Sequence, residues 1–418
     1  MKLYKSMGTL FVFSMLAVLP VACEKDYTSI TNPQTEQKAN VYADYDIDWA
    51  EAADSVSTAF IERFYCSSNR NGADGVFSYS EYNNQKNNGN CYWQQAHAMA
   101  AMVDYYNRIK LSDPDQAALI RSYFKRWYDK RGNNYEGNSS WRGSSGFGND
   151  FTDDTLWITI ALLQMYDATG DQTYYDAAKL TWDECVRPRF SMNKYGWLPW
   201  KMTDTGANSC TNGPGAIASA MLAQYAKEAG NVEEYEKYLL ESQTCFDQNI
   251  HAMNADGTLD NPALSYTQGT CMEAGRLLWK LTGEVGFLQK AISAARGQMT
   301  ASSMNETYEG EKIMRDEGTD ENNSIFHAVL FHWASRMAID KDIDAVDPTI
   351  RSELKRYVLR HASYYWTRGI DKSPLGWDDS YFGVKCYEAR EVGTGGSLGA
   401  YTSAAQAIEA MWLIERNQ

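Results

Sequence analysis

The sequence predicts an all-α protein of about six helical hairpins, and three observations support that reading. From about Tyr45 onward, apolar residues recur at helical spacing. Strand-like alternation is scarce. A glycine followed by an acid or amide also returns at roughly 50–60 residues, the length of one hairpin. Hairpins that close on themselves make an (α/α)6 toroid, whereas an open array makes a solenoid.

The first helix carries Ala52, Val56, Ala59, Phe60 and Phe64 on one face. A second opens at Tyr92-Trp93-Gln94-Gln95-Ala96-His97-Ala98-Met99. Broad apolar helices follow through Trp157, Ile160, Ala161, Leu162 and Leu163, then through Ile217, Met221, Leu222 and Tyr225, and another spans 325–337. The punctuation is Gly170-Asp171, Gly230-Asn231 and Gly283-Glu284. Glycine accepts the left-handed φ that ends a helix, and the acid or amide caps the next one. Longer loops lie between hairpins at 77–92, 135–152, 188–214, 259–268, 314–323 and 371–399, rich in Gly, Asn, Asp, Trp and Tyr. Helix connections usually need only a few residues, so loops this long are expected to carry function.

Of 418 residues, 44% are hydrophobic, enough for a sizeable core, and the net charge is −15 with a pI near 4.9. A nucleic-acid partner needs a basic footprint, which is missing. Lys2 and Lys5 precede an apolar run at 7–19, and Ala22-Cys23 follows at once, although Pro20 stands where Leu is usual. This is the pattern of a bacterial lipoprotein signal. Residues 1–22 are expected to be cleaved, Cys23 to carry lipid, 23–44 to form a tether, and 45–418 to form the (α/α)6 domain. The expected location is the bacterial cell envelope, with the lipid as sole membrane attachment. Seven further cysteines show no zinc spacing, and free buried thiols are the expectation.

Little in the chain can do chemistry besides its acids. Asp153-Asp154 sits in Asn149-Asp150-Phe151-Thr152-Asp153-Asp154-Thr155-Leu156-Trp157, at the head of an apolar helix. Adjacent carboxyls repel, which favours one protonated and one ionised acid, the equipment for cleaving a glycosidic bond. Helix capping is the competing reading, but one carboxylate suffices for a cap and Thr152 is available. Asp378-Asp379 is a rival pair, and 316–321 is a third acidic cluster. His327 and His332 are five apart, not the four of a helical metal pair, so no metal or other cofactor is expected. No nucleophile elbow or phosphate loop appears. Trp93, Trp141, Trp197, Trp200, Tyr266 and Trp377 lie in or beside loops and offer faces on which sugar rings stack.

The 92–99 segment, the 149–157 segment, Cys210-Thr211-Asn212-Gly213-Pro214, Ser265-Tyr266-Thr267-Gln268-Gly269-Thr270 and Glu317-Gly318-Thr319-Asp320 occur in that order. Together they resemble glycoside hydrolase family 76, the endo-α-1,6-mannanases, from about Trp49 to the C-terminus. The resemblance implies an (α/α)6 barrel and retaining hydrolysis of internal α-1,6-mannosidic bonds without a cofactor. It implies Asp153 as nucleophile and Asp154 as acid/base, with Trp93, His97, Asn149, Asn212, Tyr266, Gln268 and Asp320 lining the cleft. The implied partner is α-mannan; a monomer is the expectation, with the oligomeric state left open by the sequence. Ala100 departs from the pattern, where a residue capable of polar contact often stands. The competing function is a non-catalytic glycan-binding surface lipoprotein, which needs aromatics but no acid pair.

Overall fold

A computed structural model describes residues 46–68, 74–78, 92–131, 141–318, 323–372, 380–391 and 397–417. The signal, Cys23, the tether, Cys91, Asp320 and the Asp378-Asp379 pair lie outside the described residues.

Among the described residues there are twelve α-helices. The first six are α1 (Trp49–Phe64), α2 (Tyr92–Ile109), α3 (Pro114–Asp129), α4 (Thr152–Thr169), α5 (Gln172–Thr181) and α6 (Ser209–Glu228). The others are α7 (Val232–His251), α8 (Ser265–Thr282), α9 (Val285–Thr300), α10 (Phe326–Ile339), α11 (Ile350–Arg368) and α12 (Leu398–Arg416). The even-numbered helices each pack on the next, and α12 returns to pack on α2, so the inner ring closes. The odd-numbered helices form the outer layer. This is an (α/α)6 barrel.

Burial follows position in the two layers. Inner α4 is buried on nearly every face from Leu156 to Met165, so it reads as apolar all round. Outer α3 buries only Ala117, Ile120, Phe124 and Trp127, a single helical stripe. Each of its large aromatics contributes roughly 1.5–3 kcal/mol through burial. In α1, the expected face of Ala52, Val56, Ala59, Phe60 and Phe64 is the buried one.

The predicted punctuation is present. Gly170, Gly230 and Gly283 have φ of 69°, 71° and 78°. Asp171 caps α5 and Asn231 caps α7 through their side chains, whereas Glu284 makes no capping bond to α9. Two short hairpins were not expected: β1 (Asn305–Tyr308) with β2 (Glu311–Met314), and β3 (Ser380–Phe382) with β4 (Ala389–Glu391). Glu309 and Gly310, both at positive φ, form the tight turn of the first.

All six inner helices run the same way, so their N-termini gather at one mouth of the barrel and their C-termini at the other. The C-terminal mouth holds a polar cavity of about 310 Å³ lined by Asp104, Asp167, Tyr225, Arg276 and Arg336, among others. Its cations suit the negative helix ends: Arg336 pairs with Asp104 at 2.5 Å, and Arg276 with Asp340 at 3.0 Å. The described cysteines, Cys66, Cys185, Cys210, Cys245, Cys271 and Cys386, are free thiols, and all but Cys210 are buried. No described helix is long and apolar enough to cross a membrane.

Candidate active site

Asp153 and Asp154 occupy the first turn of α4 at the N-terminal mouth. Neither acts as the N-cap. Phe151 stands there and supplies no side-chain cap, and the Thr152 hydroxyl accepts instead from Arg189 Nη1 at 2.8 Å. The lead-in is fixed by side chains that bond its backbone. Asn149 is fully buried; its Oδ1 accepts from the Phe151 amide (2.9 Å), and its amide donates to Thr155 Oγ1 (3.0 Å). Gly148 is required by space, since a Cβ there would stand 2.4 Å from the Trp141 carbonyl and 2.6 Å from Cys185 Sγ.

A second segment locks across the first. The Thr152 amide donates to the Trp200 carbonyl (2.7 Å) and the Met202 amide to the Asp150 carbonyl (3.0 Å), a short antiparallel bridge between Phe151 and Lys201. This brings Trp200 over the acid pair, where its Nε1 donates to Asp153 Oδ2 at 3.0 Å. Asp153 Oδ1 accepts from the Asp154 amide, also at 3.0 Å. Burial pushes the Asp153 carboxyl up to about 6, while the Trp200 and amide bonds and nearby Arg189 pull the other way. Asp154 is the more enclosed of the two, 5% exposed.

Arg189 and Trp200 are the functional residues that the sequence reading placed least well. Past α5 the chain tightens through a π turn at Trp182–Val186 and a 3-10 turn at Arg187–Met192, which delivers Arg189 into the interior. Its guanidinium also donates to the Asn149 carbonyl at 2.6 Å, and burial lowers it to about 10. A lone arginine in a loop gives no sequence signal of this role. Trp200 was expected as a stacking face, and the structure adds its indole N–H as a donor to the acid.

The remaining expected residues separate into two groups. Tyr266, Trp93 and His97 join Phe326 and Trp157 in a continuous aromatic surface drawn from four inner helices. Ring centroids are 4.4 Å apart for Tyr266–Phe326, 5.7 Å for Phe326–Trp93, 5.4 Å for Trp93–His97 and 4.6 Å for His97–Trp157. Burial lowers His97 to about 3, so the ring is neutral. The Tyr266 hydroxyl lies beside the Cys210 thiol and feels the charge of Asp153.

Asn212 and Gln268, expected to line the cleft, do not face it. Both are fully buried, with their amides engaged by backbone groups. Asn212 bonds the Leu198 carbonyl (2.9 Å) and amide (3.0 Å) and so holds the loop that carries Trp200. Gln268, in the orientation that satisfies both ends of its amide, bonds the Leu259 amide (2.8 Å) and the Ala294 carbonyl (3.3 Å) of outer helix α9. Each acts on the cleft through the wall it supports.

The sequence model of glycosyl hydrolase family 76 matches residues 48–418. The chain belongs to that family. The family makes this protein a glycoside hydrolase. No curated protein matches. The fold is similar to that of the GH76A α-1,6-mannanase of Salegentibacter sp. HEL1_6, at 22% identity and a TM-score of 0.68, over 88% of this chain and all of that one. A variant of that mannanase made inactive by replacing two adjacent aspartates was solved with α-1,6-mannotriose. A family 76 mannosidase from Bacteroides thetaiotaomicron VPI-5482 shares 18% identity with a TM-score of 0.62, over 88% of this chain and 99% of that one. Dfg5 of Chaetomium thermophilum, solved with glucosamine, shares 14% with a TM-score of 0.63, over 89% and 92%. At these identities the likeness is one of fold.

Proposed function

We propose that the protein is a retaining endo-α-1,6-mannanase, with Asp153 as nucleophile and Asp154 as acid/base. The observation that carries this reading is the pair of donors on Asp153, the Trp200 indole and the Asp154 amide, each at 3.0 Å. Two donors favour the charged form of a carboxyl that burial would otherwise keep protonated. Held near 6, Asp153 is ionised at neutral pH yet basic enough to attack. Its carboxylate oxygen attacks C1 of the mannosyl ring from the β face as the bond to O6 of the next sugar breaks. Asp154 gives its proton to that departing oxygen. In the second half, Asp154 takes a proton from water as the water adds to C1 and Asp153 leaves, restoring the α configuration.

The aromatic surface from Tyr266 to Trp157 suits the C–H faces of sugar rings. The same proposal places the enzyme at the bacterial envelope, held by lipid on Cys23. Replacing Cys23 with Ser should then release the protein from the membrane fraction.

Azide rescue separates the two acid roles. With azide, Asp153→Ala should yield β-mannosyl azide and Asp154→Ala the α-anomer, each variant losing about a thousandfold or more in kcat on α-1,6-mannan before rescue. NMR of the first wild-type product should show the α-anomer. A β-anomer there refutes retention, and mannan binding without cleavage by wild type leaves a glycan-capture protein instead.

A further inference from the structure

Glu317 takes no part in the proposed chemistry, yet it is buried (7% exposed) on the strap that follows β2. From there it reaches the first turn of α8, which has no side-chain cap of its own because Leu264 occupies the N-cap. Glu317 supplies the cap from a distance. Its Oε1 accepts from the Ser265 amide at 2.5 Å, and its Oε2 accepts from the Ser265 hydroxyl. The next residue is Tyr266, beside Asp153 and Cys210.

On its other side, Glu317 Oε2 stands 3.5 Å from His327 Nε2, in the first turn of α10. His327 is buried, and the Arg315 backbone beside its ring favours a hydrogen there. Nε2 has no hydrogen-bond partner, so the hydrogen of the neutral ring is assigned to Nδ1, on the side of the Arg315 carbonyl. In the neutral ring Nε2 is therefore bare. A bare imidazole nitrogen facing a carboxylate oxygen, sealed from water, sets two lone pairs against each other at a cost comparable to a lost buried hydrogen bond.

We propose that Glu317 and His327 share one proton, and that this proton-bearing pair positions Tyr266 against Asp153 for the proposed reaction. Burial raises Glu317 to about 7 and lowers His327 to about 4, so the proton rests on Glu317 below about pH 7. The other groups facing the pair are Arg315 and Asp316 on the strap and Tyr357 and His361 on α11. Arg315 and Asp316 carry opposite charges. His361 is fixed by the Met314 amide (2.9 Å) and the Tyr357 carbonyl (2.7 Å), and the Tyr357 hydroxyl bonds Gln298 and Asn305. Loss of the shared proton restores the lone-pair conflict, loosens the cap on α8 and displaces Tyr266.

The inference rests on the mannanase reading for its kinetic test. In Glu317→Gln the amide oxygen keeps the bond from the Ser265 amide, and its NH2 donates to His327 Nε2 and to the Ser265 hydroxyl, which turns to accept, so the side chain presents a donor to His327 at every pH. That variant should keep wild-type kcat/KM on α-1,6-mannan at pH 6 and move the alkaline limb up by about one pH unit or more. Glu317→Ala should lose about tenfold in kcat/KM at every pH, mainly through KM. An unchanged alkaline limb in Glu317→Gln overturns the proposal, as does a loss at pH 6 equal to that of Glu317→Ala. If wild type does not cleave mannan, the mannanase reading fails by itself, and the pair is read by imidazole 15N NMR instead. A His327 Nε2 signal that moves near pH 7 in wild type and stays fixed in Glu317→Gln supports the shared proton, whereas identical titrations in the two proteins refute it.

Discussion

An indole N–H aimed at a half-enclosed carboxylate acts on charge as well as on position. Trp200→Phe keeps the ring against Phe151, 5.2 Å away, and removes only the donor to Asp153. A bond to a charged group is worth about 1.5–3 kcal/mol, so its loss should raise Asp153 from about 6 by one pH unit or more. The sign identifies the role. If Asp153 is the nucleophile, the acid limb of kcat/KM moves upward; if it is the acid, the alkaline limb moves instead. Cys210 gives a second check at this scale. It alone among the described thiols is not buried, and it lies beside Tyr266 and Asp153. p-Chloromercuribenzoate should therefore reduce activity about tenfold or more in wild type, Cys210→Ser should resist it, and α-1,6-mannooligosaccharide should protect. Equal sensitivity of the two proteins would place the modified thiol elsewhere. The adjacent acids were legible because two carboxyls at a helix start exceed what a cap needs. The Trp200 donor was not, because it depends on a bridge between segments 47 residues apart.

Element by element, the cleft is assembled from first turns. The N-terminal ends of the inner helices offer unpaired amides and the positive end of the helix dipole, which eases the ionisation of acids placed there. Their alignment depends on buried polar struts, with Asn212 the clearest case. Asn212→Ala removes three hydrogen bonds, including both ties to Leu198, and leaves buried backbone groups unpaired at about 1–3 kcal/mol each. The expected result is a lower urea midpoint together with a reduced kcat, because the loop that carries Trp200 is freed. An unchanged kcat would show that the loop holds without this strut. Helical periodicity and the glycine-acid punctuation made most helices readable from sequence. The β1–β2 hairpin was not readable, since four-residue strands leave too little alternation to register. Nor was the outward course of Gln268, because a buried amide can serve either side of its helix.

Taken whole, the barrel buries ionisable groups whose effects on stability oppose each other. Burial lowers His97, His327 and His361 to about 3, 4 and 3. Groups lowered in this way stabilise above their ordinary value near 6.5, and that contribution is lost as the pH falls through the folded values. Burial raises Asp153, Glu317 and Glu409 to about 6, 7 and 7, so their contribution is complete in acid and is lost as the pH rises through those values. The two sets offset each other from about pH 4 to 7. The urea midpoint should be nearly level there and fall steeply below about pH 4, where the histidine loss continues and carboxyls held low by cations, Asp104 and Asp340 among them, lose their contribution as well. A midpoint that falls steadily from pH 7 downward would show that the carboxyls do not oppose the histidines. Local pattern showed about six hairpins but left ring and open array equally possible, because closure depends on contacts between α12 and α2, at opposite ends of the domain.

That closure bears on how the chain acquires activity. The aromatic surface spans α2, α4, α8 and α10, and the lock on Asp153 comes from the loop before α6, so no consecutive stretch of chain contains a working cleft. Individual hairpins can gain helix before the ring exists, since their contacts are local. During refolding from urea, far-ultraviolet dichroism should therefore recover ahead of hydrolysis, and the delay between the two signals would time the docking of the last helix onto the first inner one.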